Sequence, residues 1–150
     1  MNAAAYKSPF EFVGSRIEKV EINHTYFSMN NENSKSREFE LHTKIGEIFD
    51  HEEKLFGNVN LRVDVSVQDE NNSDLSYVFN LTIDGCFSID KDVPRDQFKE
   101  MLRINGSAAL YSIARGFIMG VSAQTMLSGQ ITLPLLNFTD MPKGSPEETS

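Results

Sequence analysis

Three histidines, His24, His42 and His51, a single cysteine, Cys86, and two strand carboxylates, Asp64 and Asp84, are the first places to look for chemistry in this chain. None of the histidines stands at close metal-ligand spacing to another or to the cysteine, so a zinc site would need ligands brought together from distant positions. Asp64 and Asp84 sit at polar positions of alternating stretches, where they can face one another as paired carboxylates or serve as ordinary solvated strand residues. No pocket or nucleophile is indicated beside them, which favours the second reading. Cys86 lies in an apolar pattern and reads as a small buried hydrophobe with no cysteine to pair with. No catalytic motif emerges, and neither a metal nor a cofactor is expected.

Composition narrows the classes further. The 150 residues are enough for one domain, and 39% hydrophobic content with 11 phenylalanines can fill a core. With 14 basic against 22 acidic residues the formal charge is −8. That balance argues against nucleic-acid binding, which is carried by Lys and Arg. It reads first as a solvated acidic surface, one that can also favour basic partners. The opening MNAAAYKSPFEF has no basic segment followed by an apolar run, so no secretory signal is expected and a reducing, cytoplasmic location is. Residues 108–127 approach the length of a membrane span but contain Arg115, Ser112, Gly116, Gly120, Ser122 and Gln124. A lone span would not tolerate that interior charge, so no membrane insertion is expected.

The elements that must carry any site fall into two halves, strands first and helices second, the order of an α+β fold. The first strand covers about residues 10–27, with Phe10 and Phe12, then Ile17, Val20 and Ile22; the three-residue step from Ile17 to Val20 predicts a bulge near Lys19. A polar loop, residues 30–36 (NNENSKS), separates it from a second strand over residues 37–49, where Phe39, Leu41, Thr43 and Ile45 alternate with polar residues. Leu61, Val63, Val65 and Val67 mark a third strand, and Leu75, Tyr77, Phe79, Leu81 and Ile83 a fourth, joined by the turn-forming run DENNSD. Gly85 predicts a bulge before Phe87 and Ile89.

Pro94 opens the helical half, with Asp92 or its neighbours as the start signal. A short helix carries Phe98, Met101 and Leu102 and is expected to stop at Asn105-Gly106. Asn105 or Ser107 then caps a longer helix with the apolar stripe Leu110, Ile113, Ala114, Phe117, Ile118 and Val121. On its other side Ala108, Ser112, Gly116 and Gly120 recur every four residues, with Tyr111, Met119 and Met126 near them. Interior glycines cost about 1 kcal/mol each in a helix. Close packing across a subunit boundary would compensate that cost, so these residues and Met119 are the candidate oligomer interface; a kinked or frayed helix is the alternative.

Order and spacing over roughly residues 12–138 resemble the SecB family of bacterial protein-export chaperones. Gly85-Cys86-Phe87-Ser88-Ile89 is similar to the family's G-x-F-x-I stretch. Leu110-Tyr111 and Ala114-Arg115 stand where the family has the L-F and A-R of its helix start, and Leu133-Pro134 with Asn137-Phe138 match its P-V-N-F-like ending. Departures are Ser112 in place of proline, Gly116 in place of glutamate, and Met126-Leu127-Ser128-Gly129 in place of a G-F-P-P-like turn. After Phe138 the family has a further helix, whereas residues 139–150 here carry two prolines and a glycine and read as a disordered polar tail beyond a domain of residues 1–138.

The resemblance implies a four-stranded antiparallel sheet packed by one long helix, assembling as a dimer of dimers through sheets and helices. It implies an ATP-independent holdase, not an enzyme, that binds unfolded or aggregation-prone clients in apolar grooves. Carried over by position, the client-binding residues are Tyr26, Phe27, Met29, Phe39, Leu41, Met126, Leu127, Ile131, Leu133, Leu135 and Leu136. Tyr26, Phe27 and Met29 are expected at the surface because they abut the polar loop. For docking to the SecA motor, Glu21 matches one acidic position of the family's sheet patch, Asn80 stands at a second and Thr25 at a third. Delivery to SecA and service of a toxin–antitoxin system as an antitoxin chaperone both stay open, as does a ligand-binding or adaptor oligomer.

Overall fold

The computed structural model describes residues 8–31 and 33–140. Strands β1 (Glu11–His24), β2 (Lys35–Ile45), β3 (Phe49–His51), β4 (Lys54–Asp69) and β5 (Ser76–Asp90) form one antiparallel sheet. The four long strands lie in the order β1-β5-β4-β2, and the short β3 pairs with the beginning of β4. Strict alternation explains the central pair. Leu61, Val63, Val65 and Val67 of β4 stand opposite Ile83, Leu81, Phe79 and Tyr77 of β5, and all eight are buried on one face.

The strands are longer than the alternation alone predicts. β4 begins at Lys54, before the clear Leu61–Val67 pattern, because Leu55, Gly57 and Val59 continue the buried face; the glycine hides the alternation from a hydropathy reading. Gly57 is small because the Leu102 side chain sits where a Cβ would point, 2.5 Å away. The irregularity expected near Lys19 is present as a register shift between Ile17 and Lys19. The one expected at Gly85 is not: β5 pairs with β4 without interruption through Gly85 and Val59, and the second shift falls on β1, between Phe12 and Gly14. Gly85 has a packing reason instead, since an added Cβ would stand 2.5 Å from Leu110.

One long helical rod covers the buried face. Helix α1 (Arg95–Met101) passes through a π turn (Leu102–Gly106) directly into helix α2 (Ser107–Thr125). The expected stop at Asn105-Gly106 and the cap by Asn105 or Ser107 are therefore overturned. Gly106 is helical (φ −64°, ψ −47°), and its missing side chain lets Val59 and Phe87 approach to 3.0 and 3.3 Å of the Cβ position. The glycine serves contact between helix and sheet. At the other end Pro94 holds the N-cap position, without a capping side chain from Asp92 or any other residue.

α2 buries Ser107, Leu110, Tyr111, Ala114, Ile118 and Ser122. Ile113, placed in the apolar stripe by sequence, is instead 39% exposed. Tyr111, expected near the small-residue side, is buried against Phe39 and Phe138, at ring distances of 6.3 and 5.7 Å. The chain described ends in a 3-10 turn (Phe138–Asp140), with Phe138 in the core. The expected tail thus begins inside this turn at Thr139 and Asp140, and its remainder, residues 141–150, lies outside the described residues.

Candidate functional site

After α2 the chain has no regular partner strand, yet side chains of the helix hold it closely. The Ile131 N–H donates to Ser122 Oγ at 2.8 Å, Arg115 Nε donates to the Leu133 carbonyl at 3.1 Å, and the Tyr111 hydroxyl donates to the Pro134 carbonyl. Burial raises the Tyr111 phenol above its ordinary pKa, partly offset by Arg115, so it is a neutral donor at physiological pH. Residues 131–134 therefore run back along the helix, and their side chains alternate between inside and outside. Ile131 and Leu133 enter the core with Met126, whereas Leu127 and Leu135 are 68% and 82% exposed and Leu136 is at the surface margin.

The same segment is tied to the end of β1. The Leu127 N–H donates to the Phe27 carbonyl and the Met29 N–H to the Ser128 carbonyl, both at 2.9 Å, while the Ser28 and Ser128 hydroxyls share a hydrogen bond. This splits the expected trio. Tyr26 is 81% exposed in a left-handed backbone conformation (φ 44°), Phe27 is 1% exposed in the core, and Met29 is half-buried against that core. Phe27 points inward because this inter-segment bridge fixes its backbone over Tyr77, with ring centroids 6.4 Å apart. Surface placement thus holds for Tyr26 and fails for Phe27. Phe39 and Leu41 are half-buried on the helix-facing side of β2, opposite Val65 and Val63. What the structure brings together at the surface is Tyr26 beside Leu127, and Leu135 with Leu136 farther along the tethered segment.

The polar loop after Met29 is anchored more firmly than its composition implies. Asp69 Oδ1 accepts from the Asn71 and Asn72 amides at 2.9 and 3.3 Å, and Oδ2 accepts from Asn33 Nδ2 at 3.1 Å. Lys35 Nζ lies 3.6 Å from the same carboxylate and 5.8 Å from the centroid of the Phe27 ring. One buried acid thereby joins the loop, the turn and the core beneath Tyr26. Sequence reasoning missed this pair; the signal available was a lysine at the loop's exit and an aspartate at the start of a turn, with nothing local to connect them.

On the far side of α2 the stripe of Ala108, Ser112, Gly116 and Gly120 is exposed together with Met119. A Cβ added at Gly116 or Gly120 would meet nothing within 4 Å. Ser112, Gly116 and Met119 line a small groove of about 190 Å³ with Arg115, Thr132 and Leu133. The edge strand β1 adds exposed Phe12, Val13, Ile17 and Val20 to the apolar surface.

The outer face of the sheet is polar and ordered in rows. Glu21, Asn80, Asp64 and Glu40 stand in register across β1, β5, β4 and β2, so the two residues expected to contact SecA are direct neighbours. Thr25, the third position, lies beyond the end of β1 and bonds the Asp74 carbonyl and Ser76 amide instead. Asp64 and Asp84 are not a carboxylate pair: their partners are Asn80 and Asn60. Cys86 is half-buried on this outer face, beside an open cavity of about 450 Å³ at the β1 irregularity, and is not in the core. Burial holds its thiol above the ordinary pKa, the opposite of an activated nucleophile.

A sheet in this order, crossed by one long helix with an extended segment returning along it, is the SecB-like fold. By sequence, no family model and no curated protein matches the chain. By structure it is similar to the Mycobacterium tuberculosis SecB-like chaperone Rv1957, solved in complex with a ChAD peptide from the Rv1956 HigA1 antitoxin. The TM-score is 0.64 at 10% sequence identity, over 85% of this chain and 91% of that one. Among the described residues, no helix is long and apolar enough to cross a membrane.

Proposed function

We propose that this protein is an ATP-independent holdase chaperone that binds unfolded or aggregation-prone clients on its exposed apolar surface. The observation that carries this reading is the set of large apolar side chains, Tyr26, Leu127, Leu135 and Leu136, left in solvent around a segment whose alternate side chains are tightly packed. Adaptable apolar surface on a fixed scaffold is what a receptor for many sequences requires. Half-buried Met29, Phe39 and Leu41 extend the same region, and buried Phe27, Met126, Ile131 and Leu133 support it from below.

An antitoxin client is the form of this function favoured by the SecB-like structure that holds an antitoxin peptide. Delivery to SecA would use the outer sheet row at Glu21 and Asn80, where the amide of Asn80 weakens the negative field that a basic partner needs. In this reading the protein acts as a cytoplasmic homo-oligomer, with the small-residue face of α2 between subunits.

Aggregation suppression of a slowly folding protein tests the proposal. Full burial of a large apolar side chain is worth about 1.5–3 kcal/mol. Replacing Tyr26 and Leu127 together by serine is therefore expected to weaken client holding by roughly tenfold or more, with the melting temperature little changed. Absence of suppression by the unaltered protein would remove the holdase reading. Early melting of the double variant would move these residues into the structural core.

A further inference from the structure

We propose that Glu40, His42 and Asp64 form a binding site for a divalent transition-metal ion of the zinc class on the outer face of the sheet. Residues two apart on a strand project to the same side, which brings Glu40 and His42 together on β2. The register supplies the third ligand, since Asp64 of β4 stands directly opposite Glu40. One donor atom from each of the three lies within 4.8 Å of the other two, and His42 Nε2 is 3.3 Å from Glu40 Oε2.

A tetrahedral zinc ion at about 2.1 Å from each ligand sets its donors roughly 3.4 Å apart. Separations of at most 4.8 Å therefore need to close by no more than about 1.4 Å, within the reach of side-chain rotation. Glu40, whose side chain is 69% exposed, is the residue free to make that movement, while His42 and Asp64 are 19% and 28% exposed and better held. An imidazole nitrogen with two carboxylates suits zinc or its neighbours in the transition series; magnesium and calcium favour sites built from oxygen alone.

Two surrounding features bear on the site, one favouring a bound ion and one opposing it. Glu38, Ser66, Val78 and Asn80 border a concavity of about 210 Å³ next to Glu40 and Asp64, leaving room for water in the remaining coordination position. Arg62 Nε lies 3.1 Å from Asp64 Oδ2 and engages one oxygen of that carboxylate, so the guanidinium competes with an incoming cation. The site accordingly carries an internal competitor whose removal has a defined sign. Glu38 adds negative charge on the same strand, and Lys44 stands one step beyond His42.

Calorimetric titration of the metal-free full chain with Zn²⁺, and Co²⁺ binding followed by visible absorption, test the site. One ion per chain is expected. His42→Ala should weaken binding by roughly tenfold or more and change the Co²⁺ spectrum, with circular dichroism unchanged. Arg62→Ala should tighten binding several-fold, because the competing cation is gone. A His24→Ala/His51→Ala double variant should bind as the unaltered protein does. Zn²⁺ binding that survives His42→Ala undiminished, that is lost in the double variant, or that is absent in the unaltered chain would overturn the proposal.

Discussion

Asp69 is a single side chain on which three segments depend. Burial alone would raise its pKa, but hydrogen bonds from the Asn71 amide, the Asn33 side chain and the Asn72 amide, together with Lys35, outweigh it and hold the carboxyl below its ordinary value. A folded value below the unfolded one stabilises the protein at pH values above the unfolded pKa, about 3.9. That contribution is lost as the pH falls through the depressed folded value. Asp69→Asn should consequently lower the melting temperature at neutral pH and have a shrinking effect below about pH 4. Thermal melts of both proteins across that range check it, and a difference that stays constant into acid would detach the charge of Asp69 from stability. The turn itself was legible from DENNSD, which hydrogen-bonds locally. Its partner Asn33 was not, because the contact spans 36 residues and neither end has a distinctive local pattern.

Among the elements, the glycines of the helix–sheet interface carry the clearest consequence. Leu110 is fully buried, and a Cβ at Gly85 would come within 2.5 Å of it. Gly85→Val should therefore destabilise the protein by about 1–3 kcal/mol, measured by denaturant unfolding. A neutral result would mean that the helix can lift from β5. Strand alternation made β2, β4 and β5 legible in outline, and the Ile17 to Val20 spacing located a bulge. The same glycine signals misled where packing overrides propensity: at Gly85 they suggested a bulge and at Gly106 a helix end. The three-residue β3 was missed because Phe49–His51 is too short to carry a period; its reward is the Phe49–Phe56 stack at 5.5 Å.

At the scale of the whole molecule, the exposed small-residue face of α2 and the apolar edge strand β1 leave surface for a second chain. Since nothing lies within 4 Å of the Cβ position of Gly116 and the residue is exposed, a side chain can start there without meeting its own chain and extend toward solvent. Gly116→Leu should therefore yield a smaller particle by light scattering without loss of melting temperature; an unchanged mass would remove that face from any interface. The sequence located the apolar residues of this surface region but not their sidedness. The resemblance assigns Met126, Leu127, Ile131, Leu133, Leu135 and Leu136 alike to the client surface, and only the tethers from Ser122, Arg115 and Tyr111 determine that Met126, Ile131 and Leu133 turn inward while Leu127 and Leu135 turn out.

The bridge between Ser28 and Ser128 joins residues 100 positions apart. Closing so long a loop is entropically unfavourable until the intervening sheet and helix have brought its ends close. The surface at Tyr26 and Leu127 is therefore completed late in folding, and a nascent chain that has not yet emerged past Ser128 has no means of forming it. Synthesis from the N-terminus exposes Tyr26 long before Leu127 exists, so this exposed apolar pair assembles only once the chain has nearly finished folding.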